Sequence, residues 1–394
     1  KSDNRKNCQS YRCSLMRVKF SPIIVFCLCF FLLSCHSNRN KESILIDTEE
    51  ERTCPDTLYF EHYDMVFLET TSECLISHIS KIVQIEGKIF LLDKETDQIF
   101  LFSHEGKFIK CLFSKGRAPG ECVNVMDFSL DKKSKELIVY ADNPGKFMFF
   151  DYDGCFKREI GCERLFYAIA SMPENCLAGI NIFSREPDHY LSVLKYDSLH
   201  IRDEHKFPME QHRICDIFAE GTLLLKGNSI CFTKRYDNTI YRLTNGGIED
   251  FLYIDFGKYN FPNELLSRKW GEAEFMEQVV LQKKAVYSIV NVKEIGNHVF
   301  FNTNNLGTCV VTLDRLQGDY WKYILNTELK LEHLNMLPVE DIENKAIGFS
   351  EGILSLKDKV KYTQAKQAPN WFKEKVNGAL DTDNPVIFLY YYKN

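Results

Sequence analysis

No apolar run in this chain is long enough to cross a bilayer: Ile23–Leu33, eleven residues, falls short of the roughly 20 that a spanning helix needs. A polytopic helical membrane protein is thereby excluded. Gly-X-Y triplets and heptads are missing, which excludes collagen and coiled coil. There is no glycine-rich phosphate loop, H-E-x-x-H helix or EF-hand loop, and among 15 cysteines no C-x-x-C. No resident cofactor or metal is therefore expected. Positive charge is scarce too. Six of the 49 Lys/Arg but only one of the 55 Asp/Glu lie in residues 1–35, so the remainder holds 43 against 54, a net of −11. Such a body is repelled by phosphate backbones and by anionic lipid, so nucleic acid is not an expected partner. Apolar residues, in contrast, make up 45% of the 394 and aromatics 13%, enough for a sizeable core in two or three domains or one large all-β fold.

The first 35 residues read as an export signal. Met16-Arg-Val-Lys supplies positive charge, Ile23–Leu33 the apolar stretch, and Leu32-Leu33-Ser34-Cys35 looks like a bacterial lipobox. In that motif the cysteine thiol is acylated and becomes the new N-terminus, so Cys35 is the expected lipid attachment site and the membrane the expected partner. Met16 is then the expected start, with residues 1–15 an upstream extension. Residues 36–56 are mostly polar, with the acidic cluster Asp47-Thr-Glu-Glu-Glu51, and are expected to be a flexible tether ahead of a single domain over 57–394. No acid follows Cys35 until Glu42, which favours an outer-membrane lipoprotein facing the periplasm over one sent to the cell surface.

From about Ile79 the chain becomes a succession of short apolar runs separated by turn residues. Lys88–Asp93, Gln98–Phe102 and Lys107–Phe113 return as Glu136–Asp142, Lys146–Phe150 and Cys155–Ile160. Asp93 aligns with Asp142 and Gly106 with Gly154, offsets of 49 and 48, within the range that marks propeller blades. Inner strands of a blade are covered on both faces, so they should read as continuous apolar runs, as Ile99–Phe102 and Phe147–Phe150 do. Looser copies follow to Tyr390, with Tyr320–Ile324 read as one strand and Gly352–Leu356 as another. Met65–Leu68 would complete the last blade and close the ring. The expectation is an all-β, six-bladed β-propeller of four-stranded blades, monomeric, with a small helical insertion around 263–285.

Leu68-Glu-Thr-Thr71, Ile79-Ser-Lys-Ile82, His104-Glu-Gly-Lys-Phe108 and Gly116-Arg-Ala-Pro-Gly-Glu121 carry a family resemblance. The chain resembles the NHL-like six-bladed β-propeller lipoproteins of gut Gram-negative bacteria. Ala118 and Cys122 depart from that family's Gly-x-Gly-Pro-Gly-Glu-Tyr loop, and the likeness is strong only over about residues 58–160. It implies the fold and export; it implies no particular activity. The loop itself places Arg117 and Glu121 either at the rim of a ligand pocket or in an inter-blade connection with Glu121 bonded to backbone.

Catalytic patterns are few. Gly348-Phe-Ser-Glu-Gly352 matches the nucleophile elbow, but with Gly352–Leu356 read as a strand and His333 upstream, a hairpin is expected. His189, His200, His205 and His212 lack ligand spacing. Asp93, Asp142, Asn181 and Asn302 are strand-end positions where some propellers hold a metal, and where every propeller puts turn residues. Cys155 and Cys162 could pair across one short strand, though small apolar packing is the favoured reading of the cysteines. The expected function is a lipid-anchored, non-catalytic binding module for a carbohydrate, peptide or protein partner. The alternative is a hydrolase or lyase using axial carboxylates, with or without a divalent metal.

Overall fold

In the computed structural model, described over residues 43–182, 190–209, 214–215, 217–244 and 247–393, the short apolar runs are strands of seven sheets. The first four-stranded meander is Lys81–Ile85, Lys88–Asp93, Gln98–Ser103 and Phe108–Cys111. The second is Asn124–Asp131, Glu136–Asn143, Gly145–Asp151 and Phe156–Gly161, and the third Ala168–Met172, Cys176–Ile180, Leu191–Tyr196 and Ile201–Phe207. Leu224–Lys226, Ile230–Phe232, Thr239–Thr244 and Gly247–Asp255 form the fourth, and Ile289–Ile295, His298–Thr303, Thr308–Thr312 and Gln317–Trp321 the fifth. Ile99, Phe100, Leu101 and Phe102 are each at most 2% exposed, as strands covered on both faces must be. The core lies between consecutive sheets: Val83, Phe90 and Ile99 of the first meet Phe128, Val139 and Met148 of the second.

The six-blade count is corrected to seven. Tyr320–Ile324 is not one strand. The chain breaks at Lys322, and Tyr323–Asn326 leaves the fifth sheet to pair antiparallel with Leu331–His333 and parallel with Thr53–Pro55. A three-stranded sixth sheet results, and the backbone N–H groups of Lys322 and Tyr323 both donate to Arg52 O at its edge. One strand of that sheet comes from residues 53–55, some 270 positions away, which no periodicity along the chain can reveal. Not every blade is four-stranded either, since the seventh has three strands. Ser43–Leu45 likewise adds a parallel strand to the fourth sheet, so the tether expected over 36–56 does not extend through residues 43–56. Closure at Met65–Leu68 is found: Phe60–Phe67 pairs with Val386–Tyr392, which pairs with Ala346–Glu351 to make the seventh sheet.

Gly352–Leu356, expected as a strand, is instead the start of a helix, Ile353–Tyr362. Ile353, Leu356 and Val360 lie three and four residues apart and bury one helical face, a period that the four-residue apolar run conceals. A second helix, Asn370–Gly378, buries Phe372 and Val376 against the same cluster, which includes Phe349 and Phe388. Around 263–285 the insertion is a set of short helical turns, Asn263–Ser267 and Glu272–Leu281, anchored by Phe275 and Val279.

Candidate functional site

The strand ends on one side of the molecule surround a cavity of about 680 Å³, within the range of small-molecule sites. Lys81 lines it and, in a belt with Lys226 and Lys293 outside the lining, ties neighbouring strands together. Lys81, 2% exposed, sits in the first strand of the first blade, with Nζ 3.2 Å from Asp127 Oδ1 and 2.9 Å from Glu340 Oε1. Asp127 Oδ2 accepts from Ile169 N at 2.8 Å, and Glu340 Oε2 from Leu130 N at 3.0 Å, so the second and third blades join the network. Lys226 Nζ donates to the carbonyl and hydroxyl of Ser171, both at 2.9 Å. Lys293 Nζ bonds Val339 O at 2.8 Å, Asp341 Oδ2 at 3.0 Å and Ala346 O at 2.6 Å. Burial alone would raise the Glu340 and Asp341 carboxyls; the Lys81 and Lys293 ammoniums override it and hold both below the usual range.

The walls come from loops and from the C-terminal helix. Asp93 accepts from the backbone N–H of Ser77 at 2.7 Å, Glu95 at 2.9 Å and Thr96 at 3.2 Å, fixing the turn that carries Lys94. Lys94 Nζ lies 4.9 Å from the Tyr167 ring centroid. That ring is stacked on Phe218 at 5.9 Å, and its hydroxyl donates to Gly221 O at 3.0 Å. Burial pushes the Tyr167 hydroxyl up to about 12. His78 and Glu220 pair at 3.0 Å on the rim, the hydrogen bond raising the histidine and lowering the acid. Elsewhere in the lining Lys359 pairs with Glu351 and donates to Glu332 O at 2.9 Å. Burial pushes the Glu351 carboxyl up, but His333 and Lys359 hold it below the usual range.

Arg117 and Glu121 are not brought to this cavity. They lie on the loop between the first and second blades, where Glu121 folds back to accept from Ala118 N at 3.1 Å. A Cβ on Gly116 would meet that carboxylate at 1.9 Å, so the glycine is what lets it close. Gly120 N and Lys146 Nζ both donate to Glu159 Oε2, at 2.9 and 2.8 Å, holding the loop from outside. Of the strand-end positions, Asn302 alone lines the cavity, bonded to Asn291 and Gly307 O; Asp93 holds its turn, and Asp142 and Asn181 lie elsewhere. Cys35 lies outside the described residues, as do His189 and His212. His200 and His205 are exposed, one beside Asp197 at 3.6 Å and the other against Phe207. Among the described residues no three His, Cys, Asp or Glu side chains form a metal-binding group.

One reading of local chemistry changes, and the favoured reading of the cysteines as unpaired agrees with the structure. A helix does follow the Gly348–Gly352 motif, yet Ser350 sits within a strand, opposite Ile387, and not at an elbow. Phe349 and Glu351 share the strand face that meets His333, so Ser350 points to the other face. Cys155 and Cys162 are both free, with the strand Phe156–Gly161 between them. Seven residues of extended chain span roughly 23 Å, far beyond disulfide reach. The lysine belt was missed because Lys81 stood in the sequence only as part of Ile79-Ser-Lys-Ile82. A lone lysine inside an apolar strand, with aspartate and glutamate in the corresponding runs Met126–Phe128 and Val339–Asp341, was the available signal.

One solved structure agrees with the architecture. A candidate exported protein of Bacteroides fragilis NCTC 9343 superposes with a TM-score of 0.67 at 15% identity, over 89% of this chain and 99% of that one. A DUF4221 family member from Bacteroides vulgatus ATCC 8482 gives 0.47 at 13%, over 85% and 97%. The virginiamycin B lyase of Staphylococcus aureus gives 0.44 at 12%, over 84% and 99%. At these identities the likeness is one of fold alone. No curated protein matches the sequence. The family described as "Domain of unknown function (DUF4934)" matches residues 44–391, and the chain, a β-propeller throughout that span, belongs to it.

Proposed function

We propose that this protein is a lipid-anchored binding propeller of the cell envelope, exported by the signal in residues 16–35, attached through Cys35 and facing the periplasm. Its cavity holds a small polar ligand, a carbohydrate or a peptide. The observation that carries the reading is the state of the central acids. Asp127 and Glu351, which line the cavity of about 680 Å³, are engaged by Lys81 and Lys359, and Glu340 and Asp341, outside its lining, by Lys81 and Lys293, so these carboxylates serve to tie strands together. A rigid scaffold with loops around such a cavity is suited to recognition.

The test is thermal unfolding of the purified protein against oligosaccharides, muropeptides, peptides and divalent ions. A ligand at about 100 times its dissociation constant adds roughly 2.7 kcal/mol, a visible shift of the midpoint. Ala219→Trp, which fills the cavity from its wall, is expected to abolish that shift. A shift that survives in the variant places the ligand elsewhere, and turnover of a substrate lost in Asp127→Asn would overturn the reading in favour of an axial-carboxylate hydrolase or lyase. For the anchor, Cys35→Ser is expected to release the protein from the membrane fraction; retention there would count against acylation.

A further inference from the structure

Building on the cavity reading above, we propose that the ligand carries a carboxylate, which pairs with Lys94. The other lysines of the cavity already have anionic partners: Lys81 bonds Asp127 and Glu340, and Lys359 bonds Glu351. Lys94 has none. Among the described residues no carboxylate or carbonyl lies within ion-pair or hydrogen-bond distance of its Nζ, which is set instead against the Tyr167 ring. A partly buried ammonium with all its donors free is costly, and a ligand oxygen anion is the group that satisfies it best. The position is built. Asp93 locks the backbone of the turn, and Tyr167 is held by Phe218 behind it and by Gly221 O.

The surroundings favour an anion at this point. Glu220, on the lining, is engaged by His78, and Asp127 by Lys81. Glu95, next in the chain, is exposed on the rim, its backbone N–H bonded to Asp93. Elsewhere in the lining Asn335 offers a further donor: its Oδ1 accepts from Gly307 N at 2.9 Å, and its Nδ2 has no acceptor among the described residues. Burial and the nearby Lys81 lower the Lys94 amine, with Asp127 opposing, so an approaching carboxylate gains by restoring its charge. Two sources share this chemistry, a uronic acid and a peptide C-terminus.

Matched pairs that differ only in the carboxylate distinguish them: trigalacturonate against its methyl ester, and trialanine against trialanine amide, titrated calorimetrically into the purified protein. At least one acid is expected to bind, with its neutral counterpart tenfold weaker or more. Lys94→Gln should erase that preference and Lys94→Arg should keep it, each with an unchanged unfolding midpoint in the absence of ligand. Equal binding within both pairs, a preference that persists in Lys94→Gln, or no binding of either acid overturns the inference. Neutral members that bind wild type and fail with Ala219→Trp would leave the cavity reading standing. Silence from these four and from the wider ligand panel would remove both.

Discussion

Replacing Lys81 by methionine keeps the side chain's length and volume and deletes the ammonium that bonds Asp127 and Glu340. Lys81 and Glu340 are each 2% exposed and Asp127 3%, so water cannot take over its role. Removing one partner of a buried ion pair destabilises by about 3–5 kcal/mol, because the remaining charge stays buried without compensation. That is a large share of a total stability of roughly 5–15 kcal/mol. At about 2 °C per kcal/mol for a large domain, the midpoint at pH 7.5 should fall by roughly 6–10 °C. The pH dependence has a definite sign. In the wild type the Glu340 carboxyl is held below its ordinary value, so its contribution is present above the unfolded pKa and is lost as pH falls through the folded one. In Lys81→Met burial is opposed only by Lys226 and the Leu130 N–H, so that carboxyl rises and acid relieves the variant while it weakens the wild type. The gap between the two should narrow between pH 7.5 and 4.5, and Lys81→Met/Glu340→Gln should recover part of the loss at neutral pH. Urea unfolding at the two pH values reads this directly. A single-variant loss below 1 kcal/mol at pH 7.5, or a gap that widens in acid, would refute the lysine belt as the element holding the strands.

Other regions yield further expectations. His333 is fully buried, its Nε2 3.0 Å from Tyr390 Oη and its Nδ1 3.5 Å from Glu351 Oε1, too long for a formed hydrogen bond. Burial lowers its pKa against the opposing pull of Glu351, so its stabilising contribution is present above the unfolded value of about 6.5 and is lost as pH falls through the folded one; His333→Phe should flatten that limb of a stability–pH curve. Gly221, at φ +126°, would bring a Cβ to 2.5 Å from Asn291 Oδ1, which accepts from Thr222 N at 2.8 Å. Gly221→Ala is therefore expected to cost about 1–3 kcal/mol by chemical denaturation, and a neutral result would show that this corner relaxes freely. Deleting residues 386–394 removes the strand between Phe60–Phe67 and Ala346–Glu351, including five residues from Val386 to Tyr390 that are 0% exposed. Size-exclusion chromatography should then find aggregated protein, and a monodisperse product with native circular dichroism would contradict ring closure by the C-terminal strand.

Strand identity was legible in the residues themselves, because it is local. A strand covered on both faces has to be apolar at every position, so Ile99–Phe102 and Phe147–Phe150 announce themselves. Pairing by both termini could be read as well, since Met65–Leu68 was a strand without a blade. The sheet count, the helix after Gly352 and the cavity were decided by tertiary structure. Thr53–Pro55 finds Tyr323–Asn326 only once the chain between them has folded, and Ile353-Leu-Ser-Leu356 becomes helical because Leu356 and Val360 have a core to enter. Charge obeys the same division. Composition says that the body is acidic, whereas which lysine meets which carboxylate depends on strands 46 to 259 residues apart arriving at one place, and that arrangement leaves Lys94 facing the cavity without an anion of its own.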